Sequence, residues 1–186
     1  MNLIPIEGGV CAAKGFQAAG VHCGIRKNRS KKDLALIYSQ TECAVACTYT
    51  QNKVFGAPIT VTRKHVANGK AKAIICNSGN ANTCNANGVE IAEKTCALAA
   101  EALGISAEDV VVASTGVIGQ PLSIEPIAAG LPVLVSQLST QGSTDACEGI
   151  MTTDTYPKEC AYAFSLEGVE CQSSCIGSYY GEIGRA

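Results

Sequence analysis

Two hydroxyl-rich turns carry residue types from which an acyl-transfer site can be built: Ala113-Ser114-Thr115-Gly116-Val117-Ile118-Gly119 and Met151-Thr152-Thr153-Asp154-Thr155. Each stands at the end of an apolar run. The first follows Val110-Val111-Val112, a β-branched run that reads as a buried strand, so Thr115 and Gly116 fall where the backbone leaves a sheet. At such an exit a hydroxyl and a backbone N–H can face a substrate. A carbonyl under attack develops negative charge on oxygen, and each donor held there in advance stabilises it by roughly 3–4 kcal/mol. Gly116 lets the backbone approach closely.

The other familiar chemistries find little support. A serine-protease style triad needs a histidine beside its nucleophile, and the only two, His22 in Gly20-Val21-His22-Cys23-Gly24 and His65 beside Lys64, are poorly placed for that. The nucleophile-elbow pattern Gly-x-Ser-x-Gly, the phosphate loop and the dinucleotide glycine fingerprint are all missing from the sequence. Phosphoryl and hydride transfer drop out as leading readings.

The elements that must position these turns are alternating strands and helices. Asp33–Tyr38, Cys43–Thr50 and Ile59–Thr62 read as short strands of an antiparallel sheet. Ala71–Cys76 is another, ending in Asn77-Ser78-Gly79-Asn80-Ala81-Asn82, a loop too polar to be packed core and placed where loops build sites. Val89, Ala92, Cys96, Ala99, Ala100 and Leu103 recur at helical spacing between a cap at Asn87 and a stop at Gly104. A second helix is expected from a Ser123 cap towards Leu138, bent or interrupted by Gly130 and Pro132, and a third over Asp145–Ile150, delivering Thr152 at its end. Cys160–Leu166 returns to strand character. The expected class is a layered α/β (α+β) domain, with helices packed on a mixed, largely antiparallel sheet.

Composition bounds the partners. In 186 residues, 47% apolar and 16% charged, the chain has enough to fold as one domain and too few charges for a disordered chain. Lys and Arg number 14 against 16 Asp and Glu, and the one basic cluster, Arg26-Lys27-Asn28-Arg29-Ser30-Lys31-Lys32, reads as a solvated hairpin loop. Nucleic-acid binding is disfavoured. Eleven cysteines without a Cys-x-x-Cys pair point to a reducing cytoplasm, with thiols acting as small hydrophobes. Neither a metal nor a cofactor is called for. The N-terminus lacks a basic start and a long apolar stretch, so secretion and membrane insertion are not expected.

Five strings in order carry a resemblance: residues 12–24, Lys32-Asp33-Leu34-Ala35, Cys76–Asn82, Ala113–Gly119 and Ile150–Glu159. Together they are similar to ornithine acetyltransferase, in bacteria often the bifunctional ornithine acetyltransferase and N-acetylglutamate synthase of arginine biosynthesis. The resemblance covers residues 8–168 and implies an αββα-type sandwich. It leaves 169–186 as a divergent C-terminal tail.

Family members are precursors that cut themselves before a threonine, and this chain resembles the N-terminal α chain. The nucleophilic threonine then arrives on a separate β chain, its freed amine serving as base for its own hydroxyl, in an α2β2 heterotetramer. By the same resemblance the Thr115 hydroxyl and the Gly116 N–H form the oxyanion hole, and Thr152 binds substrate. From their own chemistry Thr153 and Asp154 read as fixing the shape of their turn rather than touching substrate, and Asn77 and Asn80 as building the loop beside the site, with a ligand role left open. The implied reaction moves acetyl from N-acetylornithine to glutamate, with acetyl-coenzyme A as a second donor.

One stretch departs from the family pattern. Where relatives carry Lys-Gly-Ser-Gly with a substrate-contacting lysine, this chain runs Cys171-Gln172-Ser173-Ser174-Cys175-Ile176-Gly177-Ser178 to Ala186, and no lysine follows Lys158. A rival reading is therefore a truncated or frame-shifted remnant, acting only as an assembly subunit. A third is a thiol-dependent enzyme using one of the cysteines.

Overall fold

The computed structural model describes residues 2–178. In chain order its elements are β1 (Ile4–Ile6), β2 (Phe16–Val21), β3 (Leu34–Ala44), α1 (Ala57–His65), β4 (Lys70–Asn77), α2 (Gly88–Leu103), β5 (Val110–Ser114), α3 (Glu125–Ser136), α4 (Ser143–Ile150), β6 (Lys158–Leu166) and β7 (Val169–Gly177). They make two sheets, ordered β2-β3-β4-β5 and β1-β6-β7. Among the strands of the described residues only β4 and β5 pair in parallel, joined by the crossover through α2. The other pairings are antiparallel. The expected mixed, largely antiparallel α/β class is what forms.

Alternation along the strands builds two cores on opposite faces of the larger sheet. Ala19, Val21, Leu34, Leu36, Ile75, Val110 and Val112 face α2 and α3, where Ile91, Cys96, Ala99, Ile127, Leu131 and Leu134 meet them. Ala18, Ala35 and Ile37 face the other way and meet Ala146 of α4. That second contact is close because β2 offers no side chain there: a Cβ on Gly20 would lie 1.9 Å from the Asp145 carbonyl oxygen. The approach sets where α4 ends, and so where Met151 and Thr152 begin.

Several expectations are corrected. Ile59–Thr62, read as strand, lies inside α1, where Pro stands in the first turn and Pro58, Val61, Thr62 and His65 bury one helical face. Thr62 Oγ1 donates to the Val112 carbonyl at 2.8 Å and accepts from the Val112 N–H at 3.2 Å, covering the edge of β5. Of Cys43–Thr50 only the first two residues are strand, because the β3–β4 register shifts between Tyr38 and Cys43 and the ladder ends at Ala44. Ile124 rather than Ser123 stands at the N-cap of α3, and Pro132 lies within that helix without ending it. Asn87 and Gly104 do flank α2, with Gly104 left-handed at φ 67°, but the Asn87 side chain makes no capping bond.

Residues 169–177, assigned above to a divergent tail, form β7, paired along its whole length with β6. The two-residue turn between them has Glu167 at φ 51° and Gly168 at φ 82°, the twist a tight hairpin requires. Positions 179–186, including Ala186, lie outside the described residues.

Candidate functional site

Because β4 and β5 run parallel with Asn77 opposite Ser114, both strands leave the sheet at one level and their loops lie side by side. Asn77 joins them. Its carbonyl accepts from the Thr115 N–H at 2.9 Å, its Nδ2 donates to Ser114 Oγ at 2.7 Å, and its Oδ1 accepts from the N–H groups of Gly79 (3.2 Å) and Asn80 (3.0 Å). Asn80 repeats the device: its Oδ1 accepts from the Asn82 N–H at 2.7 Å, and its Nδ2 donates to the Gln120 carbonyl at 3.0 Å. The loop expected to be too polar for a core is in fact buried at Asn77, Ser78, Asn80 and Asn82. Its asparagines stand in for the missing ladder and satisfy its backbone.

Gly116 sits against this loop with φ 130°, and a Cβ there would lie 2.6 Å from the Gly79 carbonyl carbon and 2.7 Å from the Asn80 nitrogen. Close approach and a left-handed backbone both demand glycine. Thr115 and Gly116 are half-buried, at the rim of the sheet and not inside packed hydrocarbon. A cleft of about 380 Å³ runs along β5, between Tyr49, Pro58 and Thr83, and reaches Ser114.

Thr152 comes from the opposite side. After α4 the chain turns extended at Met151, and the Thr152 N–H donates to Asp154 Oδ2 at 3.0 Å. The Asp154 side chain is wholly buried, paired with Lys158, and accepts from Ser178 Oγ at 2.9 Å. Asp154 therefore sets the shape of this turn.

The residue that links the two sides lies in the basic run. Arg26 Nε donates to the Ser78 carbonyl at 2.8 Å, and Nη2 donates to the carbonyls of both Ser78 and Met151. Its own N–H donates to Asp33 Oδ2 at 2.8 Å. Asp33 is fully buried, and its carboxylate also accepts from the N–H groups of Cys23 at 2.6 Å and Gly24 at 3.2 Å. Burial lowers the Arg26 pKa from its ordinary value, while Asp33 and Asp154 act to raise it. The guanidinium keeps its charge. Only Lys27–Lys31 are the solvated loop that was expected; Lys32, at the end of the run, pairs with Asp145 and Glu148. In sequence Arg26 is indistinguishable from the solvated run because its partners are 52 and 125 positions away.

Three hydroxyls flank this arrangement, shielded from water and without a hydrogen-bond partner among the described residues: Ser78 Oγ, Thr115 Oγ1 and Thr152 Oγ1. A buried unsatisfied hydroxyl is unfavourable by about 1–3 kcal/mol, so a cluster of them needs a reason beyond folding. Donors fixed in place before any charge develops are what electrostatic stabilisation of an oxyanion uses. The histidines do not complete a serine dyad: His22 Nδ1 lies 2.9 Å from the Lys31 carbonyl and His65 Nδ1 lies 2.8 Å from the Val110 carbonyl. Among the described residues no group of three His, Cys, Asp or Glu side chains could hold a metal ion, and no helix is long and apolar enough to cross a membrane.

Known proteins resemble this chain in sequence and in fold. The model of the ArgJ family matches residues 17–179. The chain is 46% identical over 165 residues to the arginine biosynthesis bifunctional protein ArgJ of Symbiobacterium thermophilum, covering 88% of this chain and 41% of that protein. Against the protein of the same name from Gloeobacter violaceus it is 49% identical over 165 residues, covering 88% and 40%. The chain thus spans about two fifths of the length of these relatives. A crystal structure of the Bacillus halodurans arginine biosynthesis bifunctional protein superimposes with a TM-score of 0.91 at 36% identity, covering 98% of this chain and 96% of that one. Ornithine acetyltransferase from Mycobacterium tuberculosis, crystallised with ornithine, gives a TM-score of 0.90 at 30% identity, covering 98% of each chain.

Proposed function

The chain belongs to the ArgJ family, and from that premise we propose that it is the α-chain part of an acetyltransferase of arginine biosynthesis, moving acetyl from N-acetylornithine to glutamate. The observation that carries this reading is the pair of water-shielded hydroxyls of Thr115 and Thr152, without a partner among the described residues, on two turns that Arg26 links through the Asn77–Ser78 segment. The nucleophile is a threonine at the N-terminus of a β chain. Coverage supports a divided protein: this chain accounts for 41% of one full-length relative yet 96% of the polypeptide in one solved structure.

The reaction follows from the placement of donors. The β-chain threonine hydroxyl attacks the acetamide carbonyl of N-acetylornithine, its proton passing to the threonine's own amine. The carbonyl oxygen becomes negative beside Thr115 Oγ1, whose hydroxyl donates to it, with the Gly116 N–H as the second donor the family pattern assigns. Collapse expels ornithine as its amine, reprotonated from the same base, and leaves an acetyl ester. The α-amine of glutamate then attacks that ester through the same oxyanion site and regenerates the threonine. Thr152 binds the amino-acid portion, and acetyl-coenzyme A serves as a second donor to the same hydroxyl.

Coexpression with the C-terminal section of a relative such as the Symbiobacterium thermophilum protein tests the proposal. A copurifying complex that converts N-acetylornithine and glutamate to ornithine and N-acetylglutamate is expected. A well-assembled complex without transfer would support the alternative of an assembly subunit.

A further inference from the structure

Acyl transfer uses none of the eleven cysteines, all of which are free thiols. Two are set apart by strand register. Cys160 on β6 and Cys175 on β7 are direct cross-strand partners in the antiparallel ladder, so their side chains leave the same face of the hairpin. Both are exposed. The opposite face is the packed one: Ala161 is buried, Ser174 Oγ donates to the Val10 carbonyl at 3.3 Å, and Ile176 packs on the Cys11, Ala18 and Ala35 cluster. The tight Glu167–Gly168 turn fixes this register.

Residues opposed in an antiparallel pair have Cα atoms about 4.5 Å or about 5.5 Å apart, according to whether the pair is hydrogen-bonded. A disulfide spans Cα separations of about 4.4–6.8 Å, so either kind of pair meets the backbone separation that bond requires. A cleft of about 520 Å³ beside them, lined by Tyr156, Lys158, Cys160, Cys175 and Gly177, admits a small reactant. From this juxtaposition we infer that Cys160 and Cys175 are a thiol–disulfide exchange site whose co-reactant is a low-molecular-weight disulfide.

The exchange has two steps. One cysteine thiolate attacks a sulfur of the small disulfide, forming a mixed disulfide and releasing one small thiolate. The second cysteine thiolate then attacks the protein-side sulfur of that mixed disulfide, closing the Cys160–Cys175 bond and releasing the other. The two protein thiols give up two electrons and two protons, and the small disulfide is reduced to two thiols. Burial pushes the thiols of Cys23, Cys76 and Cys96 up to about 12, which keeps them protonated and unreactive. The bond would clasp the open end of the hairpin, where Lys158 and Ser178 hold Asp154 and, through it, the Thr152 turn. This site stands independently of the acyl-transfer reading.

The test is incubation of the full chain with oxidised glutathione, followed by alkylation, non-reducing digestion and mass spectrometry. The expected product has lost two hydrogens and yields one cross-linked peptide pair joining Cys160 to Cys175, while the exposed Cys47 and Cys84 stay unbridged. Cys160→Ser should instead stop at a stable glutathione adduct on Cys175. Separate glutathione adducts on Cys160 and Cys175 in the unmodified sequence, continued alkylation of both, or bridges to other cysteines or between molecules would overturn the inference.

Discussion

Arg26 and Met151 lie 125 positions apart in the chain, and the guanidinium of the first donates to the carbonyl of the second. The same guanidinium holds the Ser78 carbonyl, next to the Asn77 carbonyl that accepts from the Thr115 N–H. One side chain therefore ties the Thr115 turn to the Thr152 turn, and the spacing of their hydroxyls depends on it.

Arg26→Ala should lower kcat of the assembled α–β enzyme by about one to two decades, since each hydrogen bond from a charged group contributes about 1.5–3 kcal/mol to holding the turns. Lysine presents no planar fork, so Arg26→Lys should recover only part of the loss. Steady-state kinetics beside denaturant unfolding separates the two contributions. Full turnover in Arg26→Ala would show that the turns keep their spacing without the guanidinium.

Gly116→Ala should destabilise the chain by about 1–3 kcal/mol, because the added methyl meets the Gly79–Asn80 backbone and φ stays left-handed. Gly119→Ala is the control: its φ of 74° is also left-handed, but no atom lies within 4 Å of the added Cβ. A larger fall in urea midpoint for Gly116→Ala than for Gly119→Ala is expected. Equal falls would mean the loop yields to the methyl.

Local pattern made much of this fold legible, and long-range partnership hid the rest. Val110–Val112, the glycine stop after α2 and the α4 to Thr152 connection follow from β-branched runs, left-handed capping and helical spacing. α1 reads as strand because Ile59-Thr60-Val61-Thr62 is β-branched, although Pro58, Val61, Thr62 and His65 stand at helical intervals. Val89 was counted with the apolar face of α2 yet is 42% exposed, and Ile91 is buried there instead. In the site, Thr115, Gly116 and Thr152 were named from turns at strand and helix ends together with family resemblance. The roles of Arg26 and Asp33 exist only once β2, β3 and α4 have packed, so neither the basic run nor the strand starting at Asp33 shows them.

Alkaline pH should weaken the fold through Cys96. Burial raises its thiol from the ordinary 9.0 to about 12, so the folded state favours the neutral form. This contribution is complete below pH 9.0 and is lost as pH climbs from there towards 12. The slope for one thiol is at most about 1.4 kcal/mol per pH unit. Urea midpoints at about pH 8 and about pH 10.5 should differ less in Cys96→Ala than in the unmodified sequence. An identical pH dependence would show that Cys96 is not desolvated in the folded state.

Whether the Thr115 hydroxyl receives the oxyanion is decided by kcat of Thr115→Ala in the assembled α–β enzyme. A fall of about two to three decades is expected, with the urea midpoint held and most of the rate returned by Thr115→Ser. Unchanged kcat in a folded, assembled Thr115→Ala enzyme would contradict it.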